Sequence, residues 1–170
     1  MYDLVSQRIN MVKLQLEQQG ISDAAVLNAF YSIDKESFLP ENLRAFAYAD
    51  CELKNDEGFF LPAPYALAKT IEALSIFDGC KLLNIGANTY TTAIFQFLGA
   101  RVTVLDKNAE NLADVQACFP ESNIAFVQGR EANGYPAGAP FDRIFILNHL
   151  EDTKVLTTQL SGNGILMSAN

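Results

Sequence analysis

The residue best placed to do chemistry is an acid that follows a short apolar segment. Asp106 comes directly after residues 101–105, one strand and one helix beyond Gly86. A strand, a glycine turn, a helix and then an acid after the next strand form a pattern typical of nucleoside binding, because the carboxylate can accept hydrogen bonds from both ribose hydroxyls. The same acid could equally be a solvated loop residue or a helix cap, and the sequence leaves both interpretations open.

The loop after Gly86 has the sequence GANTYTTA, with no second glycine. Nucleotide-binding loops usually need several glycines so that backbone N–H groups can approach the ligand. Asn88 tolerates left-handed geometry better than most residues, whereas Tyr90 brings a large side chain into this space. The loop adds little to the prediction, which depends on Asp106.

Alternating strand and helix patterns from residue 81 onward predict the elements that position these side chains. We expect strands over residues 81–85, 101–105, 123–127, 142–147 and 164–168, and helices over residues 91–98, 109–118 and 153–159. Strands separated by spacers of helix length pair in parallel with right-handed crossovers. The predicted fold class is α/β, a doubly wound, mostly parallel Rossmann-like sheet. Ligands of such sheets bind beyond the carboxyl ends of the strands.

The first 63 residues are predicted to be mainly helical. We expect helices over residues 3–19, from a cap at Ser22 or Asp23 to Phe30, and over residues 41–48, followed by a loop over residues 50–63. Residues 1–63 would form a helical cap with an active-site loop on a core of residues 64–170, all within a single domain. A strand left unpaired at the edge of that core would invite another chain, which makes a homo-oligomer one expected outcome.

Composition and charge narrow the function classes. The net charge is −8, from 12 basic and 20 acidic residues, so a phosphate backbone is repelled and nucleic acid is not an expected partner. Three scattered cysteines and one histidine, His149, give no metal-ligand cluster, so no metal is expected. The N-terminus lacks the apolar core of a signal peptide, and no segment is long enough to span a bilayer. These features predict a cytoplasmic protein with no membrane partner.

Two segments resemble one enzyme family. Residues 10–50 match its frame MV–QL–GI–D–VL–A followed by F-V-P–L–AY-D, through Met11-Val12, Gln15-Leu16, Gly20-Ile21, Asp23, Val26-Leu27, Ala29, Phe38, Pro40, Leu43, Ala47-Tyr48 and Asp50. Residues 134–146, GYPAGAPFDRIFI, are similar to its G-W-P–A-P-F/Y-D-x-I stretch. The family is protein-L-isoaspartate (D-aspartate) O-methyltransferase. Within that family, the two segments most resemble the sequences of a short, divergent bacterial branch.

The resemblance implies a cofactor, a reaction and a partner. Family members transfer a methyl group from S-adenosylmethionine to the carboxylate of isoaspartyl residues in damaged proteins, and the reaction needs no metal. The implied partner is therefore a protein or peptide carboxylate. Because the reaction is an in-line displacement at a sulfonium methyl, catalysis consists mainly of positioning the carboxylate against that methyl.

The residues at the family's substrate positions have changed type. The Thr and Ser hydroxyls that hold the substrate carboxylate in the family's G-x-G-Q-T-I-S-Q-P stretch correspond to Phe60 and Pro62. Neither side chain can donate a hydrogen bond, and proline also lacks its backbone N–H. No catalytic residue is therefore assigned.

The cofactor positions have changed as well. The expected cofactor-binding positions are Asn84, Gly86, Asn88, Asp106, Arg130 and Glu131. Only Gly86 and Asp106 keep the family's residue type, since Asn84 and Arg130 stand where the family has acids and Asn88 and Tyr90 where it has glycines. Glu131 is a candidate to replace the acid lost at position 130.

The sequence thus predicts a protein-L-isoaspartate O-methyltransferase-like protein whose activity is lost or altered. The alternative is a non-catalytic binding or scaffold module that keeps the methyltransferase fold. Binding of S-adenosylmethionine or its demethylated product would raise the melting temperature of an active protein by mass action. The alternative predicts no such shift.

Overall fold

The structure is a computed structural model that describes residues 3–169, which fall into two compact units, one up to residue 73 and one from residue 74 onward. The helices of the first unit are α1 (Leu4–Asn10), α2 (Ala24–Ser32) and α3 (Pro64–Leu74). The predicted first helix is present, but its second half, Met11–Glu17, is π-helical. The third helix, predicted over residues 41–48, is a 3₁₀ helix at Glu41–Phe46. A separate 3₁₀ helix, Lys35–Phe38, ends before Pro40, because a residue that precedes proline avoids helical geometry.

Part of the segment predicted as a loop forms a small antiparallel hairpin, β1 (Leu53–Lys54) and β2 (Phe60–Leu61). The Asn55 side chain shapes its turn, because Oδ1 accepts the N–H groups of Glu57 at 3.1 Å and Phe59 at 2.9 Å. Strands of two residues carry no periodic hydrophobic signal, so the sequence pattern could not distinguish them from a loop.

A carboxylate on α3 holds the start of α2. Glu72 Oε1 accepts the backbone N–H groups of Ser22 at 2.8 Å and Asp23 at 2.9 Å, and Oε2 accepts a hydrogen bond from Lys69 Nζ at 2.9 Å. These contacts lower the pKa of Glu72 to about 2, with the Ser22 N–H as the largest cause. A carboxyl with a lowered pKa stabilises the fold above its unfolded value, 4.5, and loses that contribution as the pH falls toward 2.

We expect Glu72→Gln to lower the free energy of unfolding by about 1–2 kcal/mol at neutral pH and by much less near pH 2. Urea unfolding at both pH values measures the difference between the variant and the unchanged protein. Glu17→Gln, at an exposed position of the π-helical segment, is the matched control and should show no such pH dependence. An equal loss at the two pH values would contradict the assigned role of Glu72.

The second unit is a parallel sheet. Its strands are β3 (Lys81–Ile85), β4 (Arg101–Asp106), β5 (Ala125–Gln128), β6 (Phe141–Ile146) and β7 (Leu160–Ser168). Their order is β5-β4-β3-β6-β7, and every neighbouring pair is parallel, which confirms the predicted doubly wound α/β class. The connecting helices are α4 (Thr89–Phe97), α5 (Ala109–Ala117) and α6 (Lys154–Thr157).

The last strand begins at Leu160, earlier than predicted, because its SGNG stretch continues the strand where the sequence suggests a turn. Phe141 of β6 pairs with Leu160 and Arg143 pairs with Ile165, so the pairing register shifts between them and β7 has extra residues there. Within the described residues β7 is an outer strand of the sheet. Pairing of this edge with another copy of the chain stays a prediction.

Apolar side chains pack on both faces of the sheet. On the other face from the core cluster, the Phe95 ring of α4 meets Phe145 of β6 edge to face, with 5.0 Å between ring centroids. The core cluster itself is fully buried and consists of Leu83, Ile85, Leu105, Phe141, Ile144, Ile146 and Leu156. The order of the strands reverses between β3 and β6, so the switch point of the fold lies where those two strands end.

Candidate functional site

The loops that follow β3, β4 and β5 meet at the carboxyl edge of the sheet. Gly86 N donates to Leu105 O at 2.9 Å, and Gly129 N donates to Asp106 O at 3.0 Å. On the other side of β3, Leu147 N donates to Ile85 O at 3.0 Å. The sequence-predicted Gly86 and Asp106 therefore lie together at the switch point, with the turn that carries Arg130 and Glu131 next to them.

Asp106 is the last residue of β4, and its side chain is only 4% exposed. Its Oδ2 accepts the backbone N–H of Ala87 at 2.8 Å, and its Oδ1 accepts that of Asn108 at 2.7 Å. Both carboxylate oxygens are thus bound to the main chain of the loops on either side. Asp106 therefore caps these loops, and because each oxygen keeps a second lone pair, its role toward ribose hydroxyls stays a prediction.

Gly86 is required by the packing of the protein itself. Its φ is +90°, a conformation that side-chain-bearing residues rarely adopt. A Cβ at this position would lie 3.1 Å from Asn148 Nδ2 and 3.2 Å from Leu147 Cβ, so the loop after β6 already fills that space. The positive φ and the close packing are enough to explain why position 86 is a glycine, without a bound ligand.

Asn84 lies on β3 and is completely buried. Its Nδ2 donates to the hydroxyls of Thr92 at 3.1 Å and Thr91 at 3.4 Å, and both hydroxyls donate to Asn88 O, at 2.7 and 3.2 Å. The Asn88 side chain in turn accepts Thr91 N at 3.1 Å and caps α4. Asn88 has extended geometry, with φ of −139°, so its role is that of an N-cap and not of a left-handed loop residue.

Sequence reasoning missed Thr91 and Thr92, which are both buried in the first turns of α4. A signal was present, since Asn88 followed by threonines is a helix-start pattern and Asn84 needs polar partners if buried. Helix α4 begins at Thr89, two residues earlier than predicted, as this cap requires.

Tyr90 is the largest fully buried side chain of the described residues, at 1% exposure. It belongs to the first turn of α4, directly behind the Asn88 cap. A tyrosine ring takes up volume that a glycine leaves free. The start of α4 is therefore packed with side chains where a nucleotide loop would present bare backbone.

Arg130 and Glu131 follow β5. Arg130 is exposed, whereas Glu131 is half-buried and begins the 3₁₀ turn Glu131–Asn133. Burial raises the pKa of Glu131, and the nearby Asp106 carboxylate raises it further, against a lowering by Lys107. Because β5 pairs with β4 and Glu131 follows β5, it lies at the same edge of the sheet as Asp106 and stays a candidate site residue.

Phe60 and Pro62 belong to the first unit. Phe60 is half-buried in β2, where it pairs with Lys54 of β1, and Pro62 directly after the strand is buried. Both side chains are thus apolar parts of the packing around the hairpin. Neither provides a hydrogen-bond donor to a ligand.

Two kinds of site are absent from residues 3–169. No group of three or more His, Cys, Asp or Glu side chains lies close enough together to hold a metal ion. None of the helices in this range has the length and hydropathy needed to cross a bilayer.

Comparison with known sequences gives one consistent result. The family model for Protein-L-isoaspartate(D-aspartate) O-methyltransferase matches residues 7–169. Protein-L-isoaspartate O-methyltransferase 1 of Rhodopseudomonas palustris (strain HaA2) is 34% identical over 169 residues, covering 95% of this chain and 68% of the relative. The protein-L-isoaspartate O-methyltransferase of Roseiflexus sp. (strain RS-1) is 33% identical over 148 residues, covering 85% of this chain and 67% of the relative.

Comparison with solved structures supports the fold. A protein-L-isoaspartate O-methyltransferase superposes with a TM-score of 0.80 at 23% identity, covering 94% of this chain and 54% of that one. A glycopeptide N-methyltransferase complexed with S-adenosyl-L-methionine gives a TM-score of 0.51 at 18% identity. The chain thus spans about two thirds of its curated relatives and about half of the solved structure.

Proposed function

Because this chain belongs to the protein-L-isoaspartate(D-aspartate) O-methyltransferase family, we propose that it is a divergent member that has lost methyl transfer to isoaspartyl carboxylates. It keeps the Rossmann-like sheet of the family, and S-adenosylmethionine is the cofactor of that family. The residues that have changed type lie at the family's substrate positions and at its cofactor positions.

The observation that carries the proposal is the replacement of two hydroxyl side chains by Phe60 and Pro62. A substrate carboxylate must give up water to reach a methyl donor, and this costs several kcal/mol unless donors replace the water. Phe60 has no donor on its side chain, and Pro62 has neither a side-chain donor nor a backbone N–H. A carboxylate placed against these residues would stay unpaired and poorly oriented.

Three features at the cofactor positions support weak or absent binding of S-adenosylmethionine. Asp106, the acid expected to accept the ribose hydroxyls, is 4% exposed and bound to two backbone amides. Tyr90 fills the start of α4 where the family has glycine. Arg130 stands where the family has an acid and has no acceptor to offer an adenine amine. No reaction step is therefore assigned through this cofactor.

We expect methyl transfer from S-adenosylmethionine to an isoaspartyl peptide to be at least about 10³-fold slower than that of an active relative, because two positioning donors are missing. Incorporation of radiolabelled methyl into the peptide measures the rate. The Rhodopseudomonas palustris relative, assayed in parallel, is the positive control.

A rate within tenfold of that control would overturn the proposal. A second arm replaces the isoaspartyl peptide with its ordinary aspartyl counterpart and with unmodified protein extract. Label that enters the extract but not the isoaspartyl peptide would indicate an altered substrate, and label in neither would support complete loss of transfer.

A further inference from the structure

The Asp106 side chain connects two loops that follow different strands. Its Oδ2 accepts Ala87 N, in the loop after β3, and its Oδ1 accepts Asn108 N, which precedes α5. Asn108 itself caps α5, since its Oδ1 accepts Glu110 N at 2.8 Å. One buried carboxylate thus fixes the loop over residues 86–88 to the start of α5.

The loop over residues 86–88 has little freedom around this contact. Gly86 N is bound to Leu105 O at 2.9 Å, and the Cβ side of Gly86 is filled by Asn148 and Leu147. Asn88, at the other end, is held by its contacts to Thr91 and Thr92. Ala87 N is the donor that links this loop to β4 through a side chain rather than through the main chain.

We infer that Asp106 is a positioning residue that keeps the loop over residues 86–88 closed against the start of α5. Hydrogen bonds from N–H groups to a buried carboxylate are stronger than those between neutral groups, because the charge is poorly screened. Each oxygen keeps one lone pair, but Asp106 is only 4% exposed, so ligand hydroxyls reach those lone pairs only when the Ala87 or Asn108 amide moves away. Asp106 therefore controls access to the switch point, and this inference does not depend on whether methyl transfer is lost.

Asp106→Asn tests this inference, with Asp114→Asn on the exposed side of α5 as the matched control. Asparagine keeps one acceptor oxygen and replaces the other with an NH2 group, so amide hydrogen exchange followed by NMR should become at least about tenfold faster at Ala87, at Asn108 or at both in Asp106→Asn. Exchange at Gly129 should change little, because Gly129 N donates to the main-chain oxygen of residue 106. The melting temperature should fall by roughly 5–10 °C in Asp106→Asn and stay nearly constant in Asp114→Asn.

Unchanged exchange at both Ala87 and Asn108 in a folded Asp106→Asn variant would overturn the inference. So would a variant that keeps its melting temperature but loses a thermal shift caused by S-adenosylhomocysteine, because that result assigns Asp106 to a ligand. If Asp106→Asn does not fold, the same measurement is made on the unsubstituted protein. Its Ala87 amide should exchange at least about 100-fold more slowly than in an unstructured chain, and faster exchange would overturn the inference. The methyl-transfer assay is a separate readout, so the two proposals can fail independently.

Discussion

Replacing Gly134 by alanine should lower the free energy of unfolding by about 3 kcal/mol. Gly134 has φ of +61° and ψ of −148°, a region that residues with a side chain rarely enter. A Cβ would lie 2.5 Å from Gln159 Oε1 and 2.8 Å from Leu156 Cδ2. The Gln159 side chain accepts Tyr135 N and donates to Asn133 O, both at 2.8 Å. Moving it away from the added Cβ would therefore break hydrogen bonds and lower the free energy of unfolding.

Gly79→Ala is the matched control for this substitution. Gly79 also has a positive φ, +77°, but no atom lies within 4 Å of the Cβ that alanine would add. Gly79→Ala should therefore lower the free energy of unfolding only through backbone strain, by about 1 kcal/mol. Urea unfolding of both variants gives the comparison, and equal losses would show that the Gln159 contact contributes nothing.

Replacing Tyr90 by glycine, the residue of the family at this position, should destabilise the fold by about 4 kcal/mol. The side chain is almost completely buried, and its removal leaves a cavity in a packed region. Glycine adds a further penalty because position 90 is helical. We therefore expect the family residue to destabilise this chain, because the start of α4 is filled by the buried Tyr90 side chain.

Tyr90→Phe separates packing from the hydroxyl. It keeps the ring and should cost about 1 kcal/mol or less. Denaturant unfolding of both variants measures the two losses. A Tyr90→Gly protein as stable as Tyr90→Phe would mean that the start of α4 tolerates an open loop, which would weaken the argument against nucleoside binding.

The strands of the sheet could be predicted because each is a run of apolar residues between turn residues. Residues 81–85 and 101–105 were placed correctly, and their parallel pairing follows from the helices between them. The strands β1 and β2 were not predicted, because two residues each are too few to show periodicity. Residues 11–17 were predicted to be helical, but the π-helical form of Met11–Glu17 was not, because its composition is that of an ordinary helix. Their geometry depends on contacts distant in sequence.

The location of the candidate site followed from the sequence, but its internal bonding did not. The rule for open sheets placed Gly86 and Asp106 at one edge. That Asp106 accepts Ala87 N and Asn108 N could not be predicted, because the sequence pattern for ribose binding and that for loop capping both require an acid at this position. Which amides approach the carboxylate depends on how the two loops fold, and that is a property of the folded chain.

The position of β3 in the middle of the sheet has a consequence for biosynthesis. One neighbour, β4, is made soon after it, but the other, β6, leaves the ribosome only after α4, β4, α5 and β5 have been translated. For several seconds of elongation the nascent chain therefore exposes an apolar strand with one open edge. This interval, and not the finished protein, is when the chain most needs protection from aggregation by a chaperone.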